Sequence, residues 1–164
     1  GQRCRDRRRQ GVVAAAQGTT AGGGLGILLS SDYAVVGESS KLGSIYAKLG
    51  LTPDLMVPAL LARAIGERRA LQLVLQDRLL SAEEALNWGL VAEVVPDEQV
   101  HARAEELART IAGHAPIARG QAKRLIRSTY GRAFADTLDD EARTIGRALS
   151  GQEAPKLIAA FVGG

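Results

Sequence analysis

The feature that most constrains the fold is a glycine-rich segment, residues 17–32, which reads QGTTAGGGLGILLSSD. A short apolar run precedes it, and apolar residues of helical character follow, which predicts a strand, a glycine turn and a helix. Glycine adopts backbone conformations closed to other residues, and it lets a ligand approach the backbone closely. The free N–H groups at the start of such a helix favour negative charge, either a phosphate or an oxyanion that develops on a carbonyl.

The glycine spacing excludes the best-known phosphate-binding motifs. A dinucleotide-binding fingerprint that starts at Gly22 requires glycine at position 27, which is Ile27. A P-loop requires Gly-Lys-Ser/Thr at its end, and none follows. Two interpretations remain: an oxyanion-binding turn, and a tight strand-to-helix connection packed under another element.

The composition is ordinary for a globular protein. The chain has 164 residues, of which 46% are hydrophobic and 24% are charged, so one domain with a real core is possible. No apolar run approaches the roughly 20 residues of a membrane span, and we predict no membrane partner. The single cysteine, Cys4, cannot form an internal disulfide and is typical of a reducing cytosol, which predicts a cytoplasmic location.

The first ten residues are strongly basic. Five of the 21 Lys and Arg residues lie there, and the remainder of the chain is close to neutral. These are Arg3, Arg5, Arg7, Arg8 and Arg9. Such an arm can bind nucleic acid, but no aromatic side chain is interleaved for base stacking. We therefore predict a disordered arm or a segment outside the fold, and no nucleic-acid partner.

The order of elements predicts an α/β protein. Residues 12–16 and 34–36 are predicted strands on either side of the predicted helix, and this β-α-β order implies a parallel pair. Ser81 begins a capping-box pattern, which predicts a helix that ends at Gly89. Further helices are predicted over residues 59–65, 71–76, 97–112, 117–130 and 134–149, the last full helix.

Three segments together resemble the crotonase superfamily, the enoyl-CoA hydratase/isomerase family. Residues 17–32 resemble its second oxyanion-hole segment, residues 47–54 (AKLGLTPD) its active-site loop, and residues 70–75 followed by residues 82–91 its later signature. The likeness covers residues 11–162. It implies the C-terminal part of a family domain whose N-terminal portion is missing.

The resemblance implies a domain plan and a substrate class. The first part is a basic arm over residues 1–10. The second is a crotonase-like β-β-α spiral core over residues 11–95, truncated at its N-terminus. The third is a C-terminal helical trimerisation region over residues 96–164. The implied substrate is an acyl-CoA thioester, so coenzyme A arrives as part of the substrate and no separate cofactor or metal is expected. The implied assembly is a homotrimer or hexamer.

The resemblance also assigns roles to single residues. The N–H group of Gly23 matches the donor that holds the thioester oxygen; the family's partner donor lies in an upstream loop. Asp54 matches an aspartate that, in some family isomerases and dehalogenases, removes an α-proton or attacks an aroyl thioester. From the residues alone, Asp54 after Pro53 is more simply a helix N-cap; the resemblance supports the catalytic role equally, and both interpretations stay open. The implied substrate-binding residues are Ala21, Gly22, Gly24, Tyr46 and Leu49.

Both positions that carry glutamate in family hydratases are replaced in this chain. The first falls on Gly26 and the second on Tyr46, and neither residue can move a proton as a carboxylate does. We therefore expect an enzyme that is more isomerase-like than hydratase-like. The alternative is a catalytically inactive fragment or pseudoenzyme that acts only through assembly. The bulky residues 55–58 (LMVP) stand where the family tends to have glycine, and they are predicted to narrow the acyl pocket.

Overall fold

The computed structural model describes residues 10–163, and within them strands and helices are mixed as predicted for an α/β protein. All but the last residue of the predicted basic arm lie outside the described residues. The first half contains β1 (Val13–Ala16), β2 (Thr19–Ala21), α1 (Gly23–Ser30), β3 (Tyr33–Gly37), β4 (Lys41–Gly43), a 3-10 turn (Ala47–Leu49), α2 (Val57–Ile65) and α3 (Glu67–Gln76).

The second half is mostly helical. It contains β5 (Leu79–Ser81), α4 (Ala82–Trp88), β6 (Glu93–Val95), a 3-10 turn (Asp97–Gln99), α5 (Val100–Gly113), α6 (Pro116–Ser128), α7 (Phe134–Leu149) and α8 (Glu153–Val162). The described helices include none that is long and apolar enough to cross a membrane.

The contacts divide the chain into two compact units. One is Val12–Thr110, and the other, among the described residues, consists of residues 10–11 and 111–163. The predicted division into domains after residue 95 stays a prediction.

The strands of the first unit form two small sheets. In the first sheet β3 lies between β1 and β6, and all three strands are parallel. The pairing of β1 with β3, which sets Val13 opposite Tyr33, is the predicted parallel pair. In the second sheet β4 pairs in parallel with β2 and antiparallel with β5. This second sheet was not predicted, because strands of three residues carry too little pattern to be read from the sequence.

The glycine turn is fixed because the helix that follows it is anchored in the core. Leu25 and Leu28 of α1 pack with Leu42, Leu61 and Leu73, and all five are buried. Full burial of one such leucine side chain stabilises the fold by about 2 kcal/mol. These buried contacts therefore fix the position of the first turn of α1.

Three predicted helix boundaries are confirmed in detail. The hydroxyl of Ser81 accepts the N–H group of Glu84 at 3.1 Å, and the Glu84 carboxylate accepts the N–H group of Ser81 at 2.9 Å. This is the predicted capping box, and α4 ends at Gly89 in the left-handed conformation. Gly66 likewise follows α2, with a φ of 81°.

The second unit leaves apolar side chains uncovered. Its helices α7 and α8 contain no buried residue. An ion pair joins α6 to α7, since Arg124 donates to both oxygens of Asp140 at 2.7 and 2.9 Å. Arg124, with Arg132, lowers the pKa of Asp140. The largest uncovered side chains include Ile117, Leu138, Ile145, Leu157 and Phe161, here called the apolar face.

Candidate active site

The glycine turn begins with a backbone conformation that favours glycine. Gly22 precedes α1 with a φ of 56° and a ψ of −129°. Its carbonyl accepts the N–H groups of Leu25 at 3.0 Å and Gly26 at 3.4 Å. The N–H groups of Gly23 and Gly24 come earlier in the helix, where no carbonyl of the helix can accept them. They are donors placed at the positive end of α1.

Tyr46 joins the glycine turn to Asp54. Its side chain is only 8% exposed, and its hydroxyl donates to the Asp54 Oδ1 atom at 2.7 Å. A methyl group added to Gly22 would lie 3.9 Å from the Tyr46 Cζ and hydroxyl oxygen atoms. Burial, and then the hydrogen bond to Asp54, raise the pKa of Tyr46, so the hydroxyl keeps its proton at neutral pH. The structure thus brings Gly22, Tyr46 and Asp54 together.

Asp54 is not a helix cap. Helix α2 begins three residues later, with Met56 in the N-cap position and no side-chain cap hydrogen bond. The interpretation of Asp54 as an N-cap is therefore wrong. The side chain of Asp54 is exposed rather than enclosed in an apolar pocket, and no basic residue among 10–163 forms an ion pair with it.

The loop after Asp54 has an unusual backbone. Leu55 and Met56 have φ values of 45° and 64°, in the left-handed region that bulky residues rarely adopt. Such conformations cost on the order of 1–3 kcal/mol and cluster at functional sites. These two residues directly follow Asp54, so their conformations set the path of the backbone from Asp54 to α2.

The space beside Gly26 is filled by this loop. A Cβ atom added to Gly26 would lie 2.6 Å from the Leu55 carbonyl oxygen and 2.9 Å from the Leu55 Cβ atom. A Cβ atom added to Gly23 would lie 2.9 Å from the Leu55 Cδ1 atom. Leu55 therefore covers the start of α1, and a glutamate at position 26 would need the backbone to move.

The other predicted site residues are Ala21, Gly24 and Leu49. Ala21 lies in β2, where it pairs with Gly43, and Gly24 is exposed on the first turn of α1. Leu49 is 68% exposed, and its N–H group donates to the carbonyl of Tyr46 at 3.0 Å. The role of Leu49 in binding stays a prediction.

Sequence reasoning missed the support of Asp77 for this site. Asp77 is 4% exposed, has a φ of 49°, and accepts the N–H group of Lys48 at 2.9 Å through Oδ2. It thereby fixes the turn that follows Tyr46. The sequence marked Asp77 only as the end of a helix, because a contact between residues 29 apart leaves no local pattern.

A second tyrosine–carboxylate pair lies in the same unit. The hydroxyl of Tyr33 donates to Glu93 at 2.8 Å, and Arg103 donates to both oxygens of Glu93 at 2.7 and 3.0 Å. Arg103 is the main cause of the lowered pKa of Glu93, and the hydrogen bond to Glu93 is the main cause of the raised pKa of Tyr33. This pair joins β3, β6 and α5.

Comparison with known proteins identifies the family of this chain. A family model described as enoyl-CoA hydratase/isomerase matches residues 8–163. The chain therefore belongs to the enoyl-CoA hydratase/isomerase family, which confirms the resemblance and the fold.

Individual relatives place the chain within that family. It is 37% identical over 130 residues to 1,2-epoxyphenylacetyl-CoA isomerase of Escherichia coli K12, which covers 79% of this chain and 48% of that protein. It is 38% identical over 122 residues to carnitinyl-CoA dehydratase of Salmonella typhi, covering 72% and 45%. The structure of enoyl-CoA hydratase from Bacillus anthracis superposes with a TM-score of 0.90 at 31% identity, covering 96% and 61%. The chain spans about half the length of the curated relatives it matches.

Proposed function

We propose that this site transfers a proton between carbon atoms of an acyl-CoA thioester. The N–H group of Gly23 would hold the thioester oxygen, and Asp54 would act as the base. The observation that carries the proposal is the Asp54 carboxylate, which Tyr46 holds at 2.7 Å next to the glycine turn. Among the described residues no cation forms an ion pair with this carboxylate, and one of its two oxygens accepts no hydrogen bond.

The chemistry follows from the two groups. Asp54 takes a proton from C2 of a 3-enoyl-CoA, and the electron pair of the broken C–H bond moves into an enolate whose oxygen accepts the Gly23 N–H group. The proton then returns to C4, which gives the 2-enoyl-CoA with no water consumed. One oxyanion donor is typically worth about 3 kcal/mol in such a step.

The same geometry argues against a hydratase with two glutamates. The position of the first glutamate is Gly26, where Leu55 leaves no room, and that of the second is Tyr46. Addition of water to a double bond needs a base for the water and an acid for the adjacent carbon. Among the described residues Asp54 is the carboxylate that Tyr46 holds beside the glycine turn, and a single base suits the return of one proton within one substrate.

The residues around the turn would bind the rest of the substrate. Ala21, Gly22 and Gly24 would line the turn, and the Tyr46 ring would form a wall beside it. Leu49, exposed on the following 3-10 turn, would meet the apolar part of the thioester. Coenzyme A would arrive as part of the substrate, and the proton transfer uses no separate cofactor.

A second candidate is a catalytically inactive family member that acts through assembly. The replaced glutamate positions favour it, as does the apolar face. A cavity of about 730 Å³ opens on that face between α6 and α7 and is lined by Ile117, Leu125, Leu138 and Ile145. Copies of the chain would associate as a homotrimer or hexamer through this face, because apolar patches of this kind mark interaction surfaces.

Isomerisation of a 3-enoyl-CoA by the purified chain and by Asp54→Asn tests the proposal. The chain should turn the substrate over, and Asp54→Asn should lose about 10²–10⁴-fold in kcat, the usual contribution of a general base. Calorimetric titration with an unreactive acyl-CoA thioester should give the same Kd for both. Unchanged turnover in Asp54→Asn would refute the assignment. A folded oligomer that binds no thioester would favour the second candidate.

A further inference from the structure

We propose that Tyr46 is a positioning residue that holds Asp54 beside the glycine turn and leaves one chosen carboxylate oxygen, Oδ2, to take up the proton. This rests on the proposed function, in which Asp54 is the base. Tyr46 contacts Asp54 and lies against Gly22, so its own role is to fix where the carboxylate stands.

Asp54 has little else to hold its side chain. It is exposed, and the two residues after it adopt left-handed conformations that carry the chain away toward α2. Its carbonyl accepts the N–H group of Val57 at 2.9 Å, which fixes the backbone but not the carboxylate. Within residues 10–163 the Tyr46 hydroxyl is the hydrogen-bond donor to that carboxylate.

Tyr46 itself is firmly placed. Its ring is buried, and its carbonyl accepts the N–H groups of Leu49 and Leu51, each at 3.0 Å. The turn that follows it is tied to the buried Asp77 through the N–H group of Lys48. The location of the hydroxyl is therefore set by packing, and the exposed Asp54 carboxylate takes its position from it.

The hydrogen bond also selects an oxygen. The hydroxyl has one proton to donate, and it donates it to Oδ1. Oδ2 has no partner among the described residues, so it is the oxygen that can accept a proton from carbon. While this bond lasts, the Tyr46 proton is not available to the thioester oxygen, which leaves that contact to the Gly23 N–H group.

The chain supplies a matched control for this role. Tyr33 also donates its hydroxyl to a carboxylate, Glu93, at 2.8 Å. Tyr33→Phe and Tyr46→Phe thus remove the same group from the same kind of bond, at two places in one unit.

The test is steady-state isomerisation of a 3-enoyl-CoA by the chain, Tyr46→Phe and Tyr33→Phe, together with a crystal structure of Tyr46→Phe. We expect Tyr46→Phe to lower kcat by about 10- to 100-fold, the cost of a misplaced reacting group, with KM within about twofold. Tyr33→Phe should leave kcat within about twofold of the unchanged chain. In the crystal of Tyr46→Phe the Asp54 carboxylate should leave the position it has beside Gly22.

The outcomes separate the two proposals. If the unchanged chain does not turn over the substrate although Tyr46 still holds Asp54, the proposed function is refuted. A catalytic role of the Tyr46–Asp54 hydrogen bond is then refuted with it. Turnover by the chain, with kcat unchanged in Tyr46→Phe or with the carboxylate unmoved, overturns the positioning role alone. An equal loss of kcat in Tyr33→Phe would also overturn the positioning role, because both substitutions would then act by lowering the stability of the fold.

Discussion

The two tyrosine–carboxylate pairs of this chain use the same chemical groups for different purposes. In each, a tyrosine hydroxyl donates to a carboxylate, at 2.7 Å from Tyr46 to Asp54 and at 2.8 Å from Tyr33 to Glu93. The difference is the third partner. Arg103 occupies both oxygens of Glu93, whereas Asp54 has no cationic partner within the described residues.

The third partner decides what each carboxylate can do. Arg103 lowers the pKa of Glu93, so that carboxylate stays ionised and bound, and it serves to join β3, β6 and α5. Asp54 is exposed, has one oxygen without a hydrogen-bond partner among residues 10–163, and is held by Tyr46, which lies against Gly22 at the start of α1. A tyrosine–carboxylate pair alone therefore does not mark a site; the absence of a neutralising cation and the neighbouring glycine turn distinguish this one.

The largest expected effect comes from filling the space beside Gly26. Because a Cβ atom there would lie 2.6 Å from the Leu55 carbonyl oxygen, Gly26→Ala should displace the loop that carries Asp54 and destabilise the fold by about 1–3 kcal/mol. It should also lower turnover, since Asp54 moves with the loop. Chemical denaturation and the isomerisation assay measure the two effects.

Gly146→Ala is the matched control for this change. Gly146 is a helical glycine in α7 with nothing within 4 Å of an added Cβ atom. The substitution should stabilise the protein by about 0.5–1 kcal/mol, the usual gain of alanine over glycine within a helix. If Gly26→Ala were also stabilising, the close packing of Leu55 on α1 would be contradicted.

A smaller expected effect is a pH dependence of stability that comes from the Tyr33–Glu93 pair. The pKa of Glu93 is lower in the folded chain than its ordinary value of 4.5, so its contribution to stability is present above about pH 4.5 and is lost as pH falls through the folded pKa. Glu93→Gln should therefore lower the Tm at neutral pH and reduce the further loss below pH 4.5, while leaving turnover unchanged. Thermal melts of both proteins across pH 3–7 measure this. The same slope in both would show that Glu93 does not contribute it.

Local patterns in the sequence predicted the elements but not the contacts between them. The glycine turn, the Ser81–Glu84 capping box, the helix ends at Gly66 and Gly89 and the bounds of α7 all depend on residues close in sequence, and all are confirmed. The second sheet was missed because each of its strands has three residues and is defined by its partners. Sequence patterns cannot show such pairing.

In the candidate site, too, the sequence identified single residues but not the contacts between them. The sequence and the resemblance identified Gly22, Tyr46 and Asp54 as separate candidates, but no local rule predicts that Tyr46 donates to Asp54. The N-cap interpretation of Asp54 failed because the left-handed Leu55 and Met56 delay α2 to Val57. Asp77 was overlooked because its partner, Lys48, is 29 residues away. Tertiary packing sets each of these contacts.

The most direct test of the account is exchange of the α-protons of a saturated acyl-CoA thioester with D₂O, followed by proton NMR. This measures removal and return of the proton at C2 without requiring a complete reaction. The account predicts deuterium at C2 with the unchanged chain and a loss of about 10²–10⁴-fold in the exchange rate with Asp54→Asn. No exchange while calorimetry shows the thioester bound, or equal exchange by Asp54→Asn, would contradict it.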